Sequence, residues 1–149
     1  MIKLIIFDLD GVLVEAKEIH YNALNKALGS EYAINWNEHL SIYDGLKTNQ
    51  KLDMLSKNKS LPTSQHKQIW DNKQKYTLQA LSELIPNKTL QDVMSKLTNE
   101  GYKIAVCSNS IRKTVLTVLS KLGIMEYMDL VISNEDVKNS KPHPEMYWK

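Results

Sequence analysis

With 149 residues, 42% of them hydrophobic, the chain carries apolar material for one core with a small appended subdomain. Its 19 basic and 17 acidic side chains leave a formal charge of +2, too weak a field to argue for a nucleic-acid partner, and lysines scattered along helical stretches read as solvated faces. A single cysteine, Cys107, excludes an internal disulfide, and nothing resembles a zinc constellation, so a reducing, cytoplasmic setting fits best. The apolar start is too short to span a bilayer and is interrupted by Asp8 and Asp10, so neither a membrane span nor a signal peptide is expected.

The stretch from Met1 to Phe7 is a run of branched apolar residues that reads as a strand buried on both faces, and it stops at Asp8-Leu9-Asp10-Gly11. Acids at the carboxyl end of a parallel strand open into a crevice where ligands bind. Two carboxylates two residues apart favour a bound dication or a shared proton, and Gly11 lets the chain turn sharply behind them. From Glu15 the period becomes helical: Ile19, Ala23, Leu24, Ala27 and Leu28 recur at three- and four-residue steps until Gly29. Asn35 is placed to cap a second helix through Trp36 and Leu40, and after Asp44-Gly45 a third follows with Leu46, Leu52 and Leu55. Leu61-Pro62-Thr63 breaks the pattern, and a long helix is expected to carry Ile69 through Leu84 until Pro86 ends it. The six methionines and three tryptophans read as packing material.

Beyond Pro86 the pattern alternates. Helical spacing at Leu90, Val93, Met94 and Leu97 ends at Gly101, and Lys103 to Cys107 reads as a second strand. Ser108-Asn109-Ser110 closes it, a helix runs from Val115 to Leu122 and stops at Gly123, and Leu130 to Ile132 reads as a third strand. Strand and helix in alternation imply a doubly wound, Rossmann-like parallel α/β sheet. The expected division is a core of residues 1–14 and 85–149, with residues 15–84 as an inserted helical cap. Ser108 and Asn109 sit at a strand-to-helix turn, where hydroxyl and backbone N–H donors suit an anion; the alternative is that these residues cap the next helix.

Asp8-Leu-Asp10-Gly-Val at a strand end, Val-Cys-Ser108-Asn109-Ser110 after a strand, and Asn-Ser-Lys141-Pro-His-Pro-Glu145 in that order resemble the three leading motifs of the haloacid dehalogenase superfamily, in its phosphatase and β-phosphoglucomutase-like branch. The resemblance implies that Asp8 attacks phosphorus and that Asp10 protonates the leaving oxygen and then activates water. It implies that Ser108 and Asn109 bind the phosphoryl oxygens and that Lys141 screens their charge from Asp8. Magnesium is implied as cofactor, held by the Asp8 carboxylate and the Asp10 main-chain carbonyl. The family's fourth, acidic motif and its C-terminal strands are expected to be missing from this chain, and Asn134-Glu135-Asp136 matches a connecting loop, not that motif.

The cap is expected to choose the substrate, a small phosphorylated metabolite. His20 occupies a position where sugar-phosphate mutases carry a histidine, and Tyr43-Asp44-Gly45-Leu46-Lys47-Thr48 resembles their specificity loop, which makes His20, Gly45 and Lys47 candidate substrate contacts; a half-buried helix histidine is the plainer reading of His20. The implied activity is a phosphomonoester hydrolase working through an aspartyl-phosphate. The alternatives are a sugar phosphomutase and an incomplete or non-catalytic phosphate-binding chain. Dehalogenase chemistry is disfavoured, because it does not need an acid two residues beyond its nucleophile. Oligomeric state is not legible.

Overall fold

The computed structural model describes residues 1–149, which divide into two compact units: Met1–Glu15 with Leu81–Lys149, and Ala16–Ala80. The first is an α/β unit around a parallel three-stranded sheet in the order β1 (Leu4–Phe7), β2 (Lys103–Cys107), β3 (Leu130–Ile132). Phe7 pairs with Val106 and Cys107 with Ile132, so the three chains leave the sheet at one edge, where Asp8, Ser108 and Ser133 follow. Central β2 is the most buried strand: Ile104 through Cys107 are all buried.

β1 departs from the expectation of burial on both faces. Leu4 and Ile6 are 50% and 38% exposed, and Ile2 ahead of them is 72% exposed. The strand has one neighbour, β2, and the face that carries Leu4 and Ile6 is not covered. Full burial of such a side chain contributes about 1.5–3 kcal/mol, of which β1 realises only a part.

Two helices of this unit connect the strands. The first, spanning Lys88–Asn99, begins where the Asn87 side chain accepts the Leu90 N–H at 3.0 Å and buries Met94; the second, spanning Arg112–Leu122, buries Val115, Val118, Leu119 and Leu122 and ends at Gly123, whose φ of +75° is the left-handed turn glycine tolerates. Ser108 to Ser110 do not cap this second helix: its N-cap is Ile111, without a side-chain cap, and its first N–H, from Arg112, is donated to Glu135 Oε2 at 2.6 Å.

In the helical unit, α1 (Lys17–Leu28) ends as Gly29 turns with φ +76° and α2 (Trp36–Glu38) opens on a capping box, with Asn35 Oδ1 accepting the Glu38 N–H at 2.9 Å and Glu38 Oε2 accepting the Asn35 N–H at 2.8 Å. A wide helical turn over His39–Tyr43 leads to α3 (Thr48–Lys59) and then α4 (His66–Leu81). Leu24, Leu52, Leu55 and Tyr43 form the buried centre. α4 stops at Leu81, short of the run to Pro86 that the spacing predicts. Pro86 disfavours helical backbone at Ile85, and the Leu84 N–H closes a turn on Leu81 O at 3.1 Å.

Two lysines overturn the reading of a uniformly solvated set. Lys51 and Lys73 are each 4% exposed. Lys73 keeps a polar partner inside, its Nζ lying 3.1 Å from His20 Nδ1, which offsets part of the cost of burying an ammonium group.

Candidate active site

The carboxyl edge of the α/β unit carries the candidate residues. Asp8 follows the last residue of β1, and the chain then winds back on itself: Leu9 O accepts the N–H groups of Val12, Leu13 and Val14, and Gly11, at φ +80°, donates its own N–H to Val14 O at 2.7 Å. Leu9, Leu13 and Val14 are buried, so the loop between strand and helical unit is anchored by apolar side chains at its base. Asp10 meets Ser110 from the β2 loop, whose Oγ donates to Asp10 Oδ2 at 3.4 Å, long for an O–H···O bond.

Lys141 reaches the same place from the loop after β3. Its Nζ donates to Asp8 Oδ1 at 2.5 Å and to Cys107 O at 2.9 Å. The Lys141 side chain is 20% exposed and that of Asp8 45%, so the pair is partly open to solvent and its net contribution to stability is on the order of 1 kcal/mol or less. Burial pushes the neighbouring Cys107 thiol up, with the Lys141 ammonium acting in the opposite direction. This cysteine is a packed side chain and not an activated nucleophile.

The loops are braced against each other. Ser108 is buried, its N–H donated to Ile132 O at 2.9 Å and its Oγ accepting the Ser110 N–H at 3.1 Å. The Asn109 side chain spans to the lysine loop, and Asn134 donates its side-chain N–H to Asn109 O at 2.9 Å. Asp136 is committed to structure, accepting from the Ser133 N–H at 2.7 Å and from Arg112 Nη1 at 3.1 Å. The Ser133 N–H, foremost, holds its carboxyl below the usual carboxylate range. Glu145 closes the base of the lysine loop, accepting the N–H groups of Lys138 and Asn139, each at 2.8 Å. The peptide between Lys141 and Pro142 is cis. Ser110, Asn134 and Glu145 were not singled out from the sequence as site residues; Glu145 could have been suspected from its place directly after Pro144 at the start of a short helical turn, Pro144–Tyr147.

The edge therefore brings together Asp8, Asp10, Ser108, Asn109 and Lys141. His20, Gly45 and Lys47 belong to the helical unit. There, His20 is half-buried beside Lys73, Gly45 is exposed and turns with φ +76°, and Lys47 precedes α3 with its N–H donated to Gln50 Oε1 at 3.1 Å. Trp36 and Tyr21 pack on the ring of buried His39, at centroid distances of 5.3 and 5.4 Å.

For a divalent cation, the donors available are hard oxygens. No group of three or more His, Cys, Asp and Glu side chains is placed to hold a metal. Asp8 and Asp10 nevertheless suit magnesium, an ion that binds through one or two carboxylates and keeps several waters. Asp8 has one oxygen engaged by Lys141 and a side chain open to solvent.

Similarity to known proteins agrees with this geometry. Against the pyrophosphatase PpaX of Bacillus cereus the chain is 25% identical over 150 residues, covering 99% of this chain and 67% of that protein. With a phosphorylated carbohydrates phosphatase of Thermotoga maritima it shares 23% identity over 149 residues, covering 96% and 66%. The crystal structure of a β-phosphoglucomutase from Clostridium difficile superposes with a TM-score of 0.84 at 28% identity, covering 99% of this chain and 69% of that one. The chain thus spans about two thirds of the length of these relatives. No helix is long and apolar enough to cross a membrane. Because the family profile matches residues 5–149, the motifs at the strand ends and the surrounding fold have one source: the chain belongs to the haloacid dehalogenase-like hydrolases.

Proposed function

We propose that the chain carries the phosphoryl-transfer site of a magnesium-dependent phosphomonoester hydrolase that acts on a small phosphorylated metabolite in the cytoplasm. The observation that carries this reading is the convergence, at one sheet edge, of Lys141 on Asp8 and of Ser110 on Asp10. The relatives that act on phosphorylated carbohydrates and on pyrophosphate support a phosphate ester or anhydride as substrate.

An Asp8 carboxylate oxygen attacks phosphorus in line with the leaving oxygen, forming an acyl phosphate as the ester P–O bond breaks. Asp10 gives its proton to the departing alkoxide, then accepts one from the water that attacks the acyl phosphate, which releases inorganic phosphate and restores Asp8. Lys141 lies against Asp8 and offsets the repulsion between that carboxylate and an incoming phosphate dianion. The Ser108 hydroxyl and the Asn109 backbone N–H hold the phosphoryl oxygens, while the Asn109 side chain pairs with the Lys141 main chain. Magnesium, bound by the Asp8 carboxylate and the Asp10 carbonyl, would supply further charge neutralisation at those oxygens. His20, Gly45 and Lys47 are the helical unit's candidates for choosing among substrates.

The likeness to a β-phosphoglucomutase favours a second reading, in which the phosphoryl group returns to a sugar instead of passing to water. Phosphorus-31 NMR of a hexose 1-phosphate with magnesium separates the two. Free phosphate, absent with Asp8→Asn, is expected; an isomeric sugar phosphate would establish the mutase. Unchanged turnover in Asp8→Asn would overturn both. Phosphate binding without any turnover would leave a non-catalytic phosphate-binding chain.

A further inference from the structure

We propose that Asn109 is a positioning residue for Lys141, a two-point latch that sets where the ammonium group stands. The Asn109 Nδ2 donates to Lys141 O at 2.9 Å, and Asn109 Oδ1 accepts the Lys141 N–H at 3.0 Å. Both ends of one planar amide thus pair with the main chain of one residue 32 positions away, as a neighbouring strand would. Two bonds in one plane fix the Lys141 backbone in rotation as well as translation. A single bond would leave it free to swing.

Only this arrangement of the amide satisfies both groups, since a reversed amide would set donor against donor and acceptor against acceptor. The chemistry also selects asparagine. Aspartate has the shape but no donor, and would face Lys141 O with a carboxylate oxygen. Leucine has the bulk and neither function, and serine is too short to reach both groups. Behind Asn109 the turn is itself held, because Asn134 donates its side-chain N–H to Asn109 O and its backbone N–H to Ser110 O at 3.2 Å. The turn after β2 is therefore tied to the loop after β3 at two places, through Asn134 and through Lys141.

From that anchored backbone the four-carbon stem of Lys141 delivers its Nζ between Asp8 Oδ1 and Cys107 O. Lysine has a flexible stem and about 2 kcal/mol of rotamer entropy, so the ammonium stands in one place only if its Cα does. Releasing the latch moves the charge off the nucleophile without changing any group that reacts.

The positioning itself does not depend on the proposed activity, whereas its catalytic consequence does. Competitive amine labelling followed by mass spectrometry reads the positioning. In the wild-type chain, Lys141, bonded to two oxygens, should label slowly relative to exposed Lys138 in the same loop. Asn109→Leu should raise the Lys141 to Lys138 ratio severalfold, and Asn109→Asp should raise it by a smaller factor because one of the two bonds survives. Buried Cys107, probed with a thiol reagent, should stay slow in both variants and so report that the α/β unit remains folded. An unchanged ratio in both variants would overturn the latch. Fast Cys107 labelling in both would also overturn it, by assigning Asn109 to the integrity of the unit. If only the leucine variant unfolds, the aspartate variant decides. With p-nitrophenyl phosphate, kcat should fall on the order of 10-fold to 100-fold while KM changes little. Altered labelling without turnover in any form would refute the phosphatase reading and leave the latch standing.

Discussion

Lys141 Nζ stands 2.5 Å from Asp8 Oδ1 although 133 positions separate the two residues, and the same ammonium bonds the carbonyl of Cys107 on the intervening strand. One cation thus ties the ends of β1 and β2, at the point where the proposed reaction brings a phosphate to Asp8. Lys141→Met should lower kcat/KM for p-nitrophenyl phosphate by about 100-fold or more, as removal of one preorganised donor does elsewhere. Steady-state kinetics check this. A variant within a few-fold of wild type would assign the contact to stability alone.

Asp10→Asn distinguishes acid-base work from structure. Ser110 Oγ donates to Asp10 Oδ2 at 3.4 Å, long for such a bond. An alkyl phosphate leaves as an alkoxide that needs a proton, whereas p-nitrophenolate does not, so the alkyl ester should lose more activity than the aryl ester. Equal losses on the two would remove Asp10 from proton transfer.

Substitutions in the helical unit should change selectivity and not chemistry. His20→Ala and Lys47→Ala should shift relative kcat/KM values across a panel of phosphate esters, because the groups at the sheet edge see only the phosphoryl moiety. A uniform change over the panel would show that neither residue discriminates.

The apolar face of β1 should make the chain self-associate. Ile2, Leu4 and Ile6 are 72%, 50% and 38% exposed on a strand with one neighbour, and such an edge invites pairing with another chain. Sedimentation velocity of the 149-residue chain should show concentration-dependent species that Ile6→Lys reduces. A monodisperse monomer at all concentrations would contradict this.

His39 should titrate below an ordinary histidine. Its ring is fully buried, and burial foremost, then the charge of Lys51, disfavours the imidazolium, while Asp44 Oδ1, 3.9 Å away, acts weakly in the other direction. The unfolded chain therefore takes up this proton at higher pH than the folded one. The contribution of neutral His39 is fully present above the ordinary histidine value and is lost as pH falls through the depressed folded value. Proton NMR of the His39 ring should give a midpoint under about 6.5, and a higher one would show that Asp44 outweighs burial.

The sequence by itself determined the order of the main elements and which residue types stand at the strand ends. Short apolar runs and period-3.6 patterns, Gly29 and Gly123 as stops, Asp8 and Ser108 each directly after a strand, and Lys141 in the stretch beyond the third are local signals that need no knowledge of packing. The register of the sheet then follows closely enough to put these residues on one edge. Burial was decided only in three dimensions. β1 reads like β2 along the chain, yet one is half exposed and the other buried, because exposure depends on what covers each face and apolar composition does not encode that. Lys51 and Lys73 are charged residues on helical stretches like the exposed lysines, yet each is only 4% exposed. The same holds for the latch. Asn109, in sequence a phosphate-site candidate, acquires its partner only when the loops after β2 and β3 come within hydrogen-bond reach, since a contact between residues 32 positions apart is set by the meeting of two backbones and by nothing local to either.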